Sequence, residues 1–180
     1  MGLESFFITL LPPNIEPVLI DGNISFSGES HITINSFIEK ISNHYSLKQI
    51  KEKEWYWFIV KDVIVMRIEY RDKWFNAVSL EGCFSYYEEN LQICYDIAQT
   101  IKNLIFDVTV YHPSGLSFRL GSKEEFFSLI KDIYQDKYQL FLKHFGEFKI
   151  KVTPERFYEA LSKIKRKRNF KNLFCKRFNS

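Results

Sequence analysis

The chain has 180 residues but only seven glycines, five prolines and three cysteines. So little glycine and proline leaves no composition for a long flexible linker. The cysteines, Cys83, Cys94 and Cys175, never stand at C-x-x-C spacing, so the short-range signature of a structural zinc or a redox dithiol is missing. Three is also an odd number for a disulfide framework. Buried free thiols are expected instead, in a reducing and hence cytoplasmic compartment. The phosphate-binding patterns G-x-x-x-x-G-K-[ST] and G-x-G-x-x-G are absent, and so is the G-x-S-x-G elbow. Nucleotide binding and serine hydrolysis therefore lose their usual support. The four histidines, His31, His44, His112 and His144, are scattered. No metal and no cofactor are expected. No apolar run reaches membrane-spanning length. Phe6 to Leu11 is short and follows Glu4 rather than a basic region, unlike a secretory signal.

Acidic residues are missing after Glu159, whereas eight of the 25 basic residues follow Ser162. Residues 1–162 hold the other 17 and all 22 acidic residues, a net charge of −5 within a chain of net +3. An acidic body with a basic tail implies a partner for the tail, or a tail lying on the body.

What the chain does have is aromatic residues, 17% of the total with 18 phenylalanines, in a 46% hydrophobic sequence of ordinary charge. They are densest from Trp55 to Leu80, three apolar runs divided by Lys61-Asp62 and by Arg71-Asp72-Lys73. Such runs with turn-sized polar breaks predict an antiparallel β-meander. The first run, Trp55 to Val60, is apolar on both faces and reads as an inner strand covered on both sides, with Trp55, Trp57 and Phe58 in the core. In the second, Ile64, Met66, Ile68 and Tyr70 oppose Arg67, Glu69 and Arg71. The third sets Trp74, Asn76, Val78 and Leu80 against Phe75, Ala77, Ser79 and Glu81.

Around this meander the spacing predicts a strand over Leu3–Leu11 and a hairpin at Asp21-Gly22-Asn23. A helix is expected over Asn35–Tyr45 with a Ser36-x-x-Glu39 capping box, and an edge strand from Leu47. A second helix follows Ser85-x-x-Glu88 and buries Tyr87, Leu91, Cys94, Ala98, Ile101 and Ile105. Two strands flank Pro113-Ser114-Gly115. A third helix starts at Ser122-x-x-Glu125 and stops at Gly146. A short strand through Phe148, Ile150 and Val152 and a helix opened by Thr153-Pro154 complete the order. The whole predicts one α+β domain over residues 1–162, an antiparallel sheet built on the central meander with helices mainly on one face. Its element order is loosely ferredoxin-like. Residues 163–180 are expected to form a basic amphipathic C-terminal helix.

Four candidate sites stand out. The polar edge of the meander, Arg67, Glu69 and Arg71 with Trp74, has the residue types of a protein-binding surface, or of a solvated strand with cross-strand ion pairs. In the tail, Phe170, Leu173, Phe174 and Phe178 share one helical stripe, ringed by Lys165, Arg166, Lys167, Arg168 and Lys171. That pattern suits nucleic acid, an anionic membrane surface or an acidic protein groove, or docking on the chain's own body. His112 ends a strand, and with Glu81 or Glu88 beside it the pair would do acid/base chemistry. The junction from Glu81 to Glu89 offers helix amides to an anion, but Glu88 and Glu89 already occupy the positive end. The leading expectation is a non-catalytic cytoplasmic protein that binds another protein, such as a neutralising or immunity-type protein. The alternatives are a nucleic-acid-associated protein using the tail and an enzyme using His112.

Overall fold

The computed structural model describes residues 3–50 and 56–166. Its main sheet has seven strands, all paired antiparallel: β1 (Ser5–Leu11), β4 (Leu47–Gln49), β5 (Tyr56–Val60), β6 (Ile64–Arg71), β7 (Trp74–Cys83), β8 (Thr109–Tyr111) and β9 (Ser117–Arg119). A separate hairpin joins β2 (Ile15–Ile20) to β3 (Asn23–Gly28), and the helices are α1 (Ile34–Ser42), α2 (Tyr87–Leu104) and α3 (Lys123–Phe145). The sheet order is β4-β5-β6-β7-β1-β8-β9. The expected meander is thus β5-β6-β7, and β1 lies between it and β8. No parallel pair occurs among the described residues, as a β-α-β crossover would require, so a ferredoxin-like order is not confirmed.

One face of the sheet carries the helices. Phe6, Ile8 and Leu10 of β1, Met66 and Ile68 of β6, and Val78 and Leu80 of β7 form a single core with the helices' apolar stripes. Those stripes supply Phe37 and Ile41, Leu91, Cys94, Ala98 and Ile101, and Phe126, Ile130 and Phe141. Phe157 is buried in the same core, from a helical run over residues 157–166 that follows the turn Pro154–Arg156. That run crosses the expected boundary at residue 162. On the opposite face the β2–β3 hairpin lies over the sheet. Ile15 and Phe26 pack there on Leu11, Ala77 and Tyr111 as a second, small core.

The turns explain themselves only in part. Asp21 and Gly22 both have positive φ, 49° and 77°, the pattern of a two-residue hairpin turn. Lys61 and Asp62 take the same pattern with φ of 48° and 63° although neither is glycine. Lys48 pairs with Asp62 beside that turn.

Several expectations are corrected. Helix α1 is capped by Thr33, whose hydroxyl accepts from the Ser36 amide at 3.2 Å, so Ser36 and Glu39 lie inside the helix. Helix α2 has no capping box, because the Ser85 hydroxyl donates to the Ile150 carbonyl instead. That bond ties down the segment expected to be a last strand, and residues 147–153 form none. A β-bulge between β6 and β7 shifts the register after Glu69. It puts Phe75 among the helices, stacked 4.2 Å from Phe37, instead of on the outer face with Ala77 and Ser79. Ser122 caps α3 as expected, accepting from the Glu125 amide at 3.1 Å.

Candidate functional site

The period of two in β6 sends Met66 and Ile68 to the helices and leaves Arg67 and Glu69 on the open face. The ladders then align a row across five strands. Trp57 stands opposite Arg67, Arg67 opposite Ser79, Ser79 opposite Thr9, and Thr9 opposite Tyr111. The Arg67 guanidinium lies 4.3 Å from the centre of the Trp57 ring, a cation–π stack. It is also ion-paired with Glu81, which is only 8% exposed. Its Nε is buried with no hydrogen-bond partner among the described residues. The Thr9 and Ser79 hydroxyls are 2.9 Å apart.

Sequence reasoning placed Trp57 in the core. It stands half-buried on the open face beneath Arg67, while Phe58 and Val60 fill the core side. The strand therefore differs between its two faces, and the all-apolar run concealed it. Trp55 lies outside the described residues.

Beside this row the hairpin closes a groove of about 220 Å³, with Ile24 and Phe26 on one wall and Phe7, Arg67, Glu69 and Tyr111 on the floor. The Phe26 and Tyr111 rings meet edge-on at 6.0 Å. Glu69 makes no ion pair among the described residues, and burial pushes its carboxyl above the usual carboxylate range. The hairpin tip above the groove exposes Leu19 (74%), Ile20 (53%) and Ile24 (37%). Nothing in the spacing of β2 and β3 marked them as a surface feature. Their alternation looks like that of any hairpin until the tip is seen to overhang the sheet.

Arg71 and Trp74, expected at the same site, line a different depression of about 300 Å³ with Gly28, His31, Asp72 and Asn76. Arg71 and Trp74 face each other across the β6–β7 turn, and Lys73 Nζ stands 5.1 Å from the Trp74 ring centre. The four predicted residues therefore divide into two pairs.

His112 is held elsewhere. Its Nδ1 accepts from the Ser114 amide at 3.1 Å and lies 2.9 Å from the Ser114 hydroxyl. That fixes the proton on Nε2, which donates to the Tyr134 hydroxyl at 2.9 Å. No hydrogen bond or ion pair among the described residues joins His112 to Glu81 or Glu88, which pair with Arg67 and Lys131. His112 thus serves to orient Tyr134. Burial, and then the nearby Lys137, hold its imidazole below the ordinary value. The unfolded chain therefore binds the proton first. Stability is expected to fall as pH drops from about 6.5 towards the folded value, with no contribution from His112 well above that range. Urea unfolding at pH 7.5 and 5.5 would show the loss. His112→Gln, which keeps an N–H donor but does not titrate, would reduce it.

In the tail, Lys165 and Arg166 are exposed on the helical run, and Lys167, Arg168, Lys171 and Phe174 lie outside the described residues. Cys83 and Cys94 are buried free thiols, and burial raises both above the ordinary thiol value. Among the described residues no cluster of His, Cys, Asp and Glu fits a metal ion, and no helix is long and apolar enough to cross a membrane. Comparisons with protein families, curated proteins and solved structures find no match to the chain.

Proposed function

We propose that the chain is a non-catalytic protein-binding module that works through the open face of its sheet and the overhanging hairpin tip. The observation that carries this is the exposed cross-strand pair Leu19 and Ile24, with Ile20 exposed on the other face of the same tip, beside the groove that holds Glu69. Large apolar side chains left exposed on both faces of one hairpin tip suit an interaction surface. Arg67 is neutralised by Glu81, so the groove keeps the uncompensated charge of Glu69. The matching partner is a protein that lays an apolar ridge on the tip and sets a lysine or arginine over Glu69. Its cation would restore to the carboxylate the stabilisation that burial removes. The narrower instance we favour is a cytoplasmic neutralising protein of the immunity type, masking a basic working surface of its target. The acidity of residues 1–162 supports it.

The test is capture from the source cell with nuclease present. Bait carrying Glu69→Lys, or Leu19→Ser with Ile20→Ser, should retain at least roughly tenfold less of the partner than the unaltered chain. All the altered side chains are exposed or unpaired, so folding should survive. A partner retained equally by all three baits would end this reading.

A second reading has its own observation: Lys163, Lys165 and Arg166 are exposed along the last helical run. Nucleic acid bound there would be released steeply by salt and lost on deleting residues 163–180. Retention unchanged by the deletion would remove it.

A further inference from the structure

On the helical side of the sheet a cavity of about 240 Å³ opens between the start of α2 and the end of α3. Phe84, Tyr86, Tyr87, Tyr138 and Phe148 form its walls. The remaining charged lining is three carboxylates, Glu88, Glu89 and Glu147, against one ammonium, Lys149. We propose that this cavity binds an alkylammonium group, on a free amine or on a lysine side chain.

Three observations point to that chemistry. Aromatic faces are negative and attract cations, and the site already shows this at its edge, where Lys151 Nζ stands 5.7 Å from the Tyr86 ring centre. The carboxylates act together. After burial, the charges that raise the Tyr138 hydroxyl above its ordinary value are Glu88, Glu147 and Glu89. Glu88 is shared with Lys131 at 2.6 Å, but Glu89 and Glu147 have no ion pair among the described residues. The glutamates in the first turn of α2 offset that helix's positive end, while α3 ends at Gly146 and turns its negative end to the cavity. An anion is therefore disfavoured from both walls.

Tyr86 adds a sign of a built site. It holds a left-handed backbone, φ 56° and ψ 44°, at the position before α2, a conformation costly for an aromatic residue and common at ligand sites. The volume suits a short chain and excludes a nucleotide.

The experiment is an NMR titration of the full chain with n-butylammonium chloride, at constant ionic strength, with n-butanol as the neutral isostere. Acetyl-Gly-Lys-Gly-amide is titrated in parallel. Saturable shifts are expected at the amides of residues 86–89 and 146–149, with a Kd on the order of 1 mM. Glu89→Gln with Glu147→Gln should weaken binding roughly tenfold. Binding by the peptide as well assigns the site to lysine side chains; binding by butylammonium alone assigns it to free amines. Equal shifts with butanol, shifts that do not saturate, or affinity unchanged in the double glutamine variant would overturn the proposal.

Discussion

Phe6→Ala is expected to destabilise the fold by about 3–5 kcal/mol. Gly82→Ala added to it is expected to cost less than the same change made alone. Phe6 is fully buried in a central strand, with its ring 5.0 Å from Tyr87, 5.9 Å from Phe84 and 6.0 Å from Tyr134. Directly across the ladder stands Gly82. The missing side chain there is what makes room for the ring, since a Cβ on Gly82 would lie 2.8 Å from Phe6 Cζ and 3.0 Å from Ile64 Cδ1. Gly82→Ala alone therefore overpacks a closed site, at a cost of about 1–3 kcal/mol. Removing the ring takes away the two nearest obstacles and leaves the end of Ile64, and a side-chain end can shift. A double-mutant cycle by urea unfolding should give a coupling of about 1–2 kcal/mol in favour of the pair. Additive costs would mean that ring and glycine do not share the space described. Phe6→Leu offers a milder variant where the alanine unfolds too far to measure, since about 3–5 kcal/mol is a large part of a domain's stability.

This pair also marks a limit of what the sequence conveys. The alternation in Phe6, Ile8 and Leu10 and in Ile64, Met66 and Ile68 is legible because a half-buried strand repeats every two residues. Those residues face the helices as expected. The stripe through Leu91, Cys94, Ala98 and Ile101 is legible for the corresponding reason in α2. Gly82 reads as a place of close approach, but which ring approaches it depends on β1 returning from the far end of the chain. Nor does any local pattern announce that Asn76 begins a bulge, so strict alternation puts Phe75 on the outer face and the bulge turns it inward. Caps failed where a hydroxyl had a distant rival acceptor, as Ser85 has in Ile150.

The candidate site was half legible. Arg67 and Glu69 emerge from alternation alone. Their separation from Arg71 and Trp74 does not, because it is made by the hairpin crossing the open face. Trp57 was hidden by its own run. An unbroken apolar strand looks the same whether its second face meets a layer of helices or a single arginine. Of the His112 hypothesis, the position at the strand end was readable, and the partner was not. Tyr134 comes from α3, 22 residues on, and a tyrosine on an apolar stripe reads as core.

Tyr134→Phe should cost about 2–4 kcal/mol, well above the roughly 1 kcal/mol of a typical hydrogen bond, because one oxygen serves three groups. The reason lies in where the β1–β8 ladder stops. Its last pair on this side is Thr9 with Tyr111. The next residue in register with Phe7 would be Pro113, which has no N–H to offer. Phe7 is thus left with an amide and a carbonyl facing no strand. The Tyr134 hydroxyl accepts from that amide at 2.9 Å and donates to that carbonyl at 2.7 Å. It also accepts from His112 Nε2. Lys137, one turn further along α3, donates to the Ser5 carbonyl in the same way. Two side chains of a helix stand in for the missing strand, and β1 offers no open edge to another chain. Phenylalanine keeps the ring against Phe6 and Phe84, so the loss is that of the oxygen alone. Tyr138→Phe is the control, a half-buried hydroxyl with no hydrogen bond among the described residues, and should cost little. Urea unfolding of the two variants makes the comparison. A cost for Tyr134→Phe no larger than the control's would mean that water replaces the hydroxyl freely, and that the edge of β1 is closed by something other than α3.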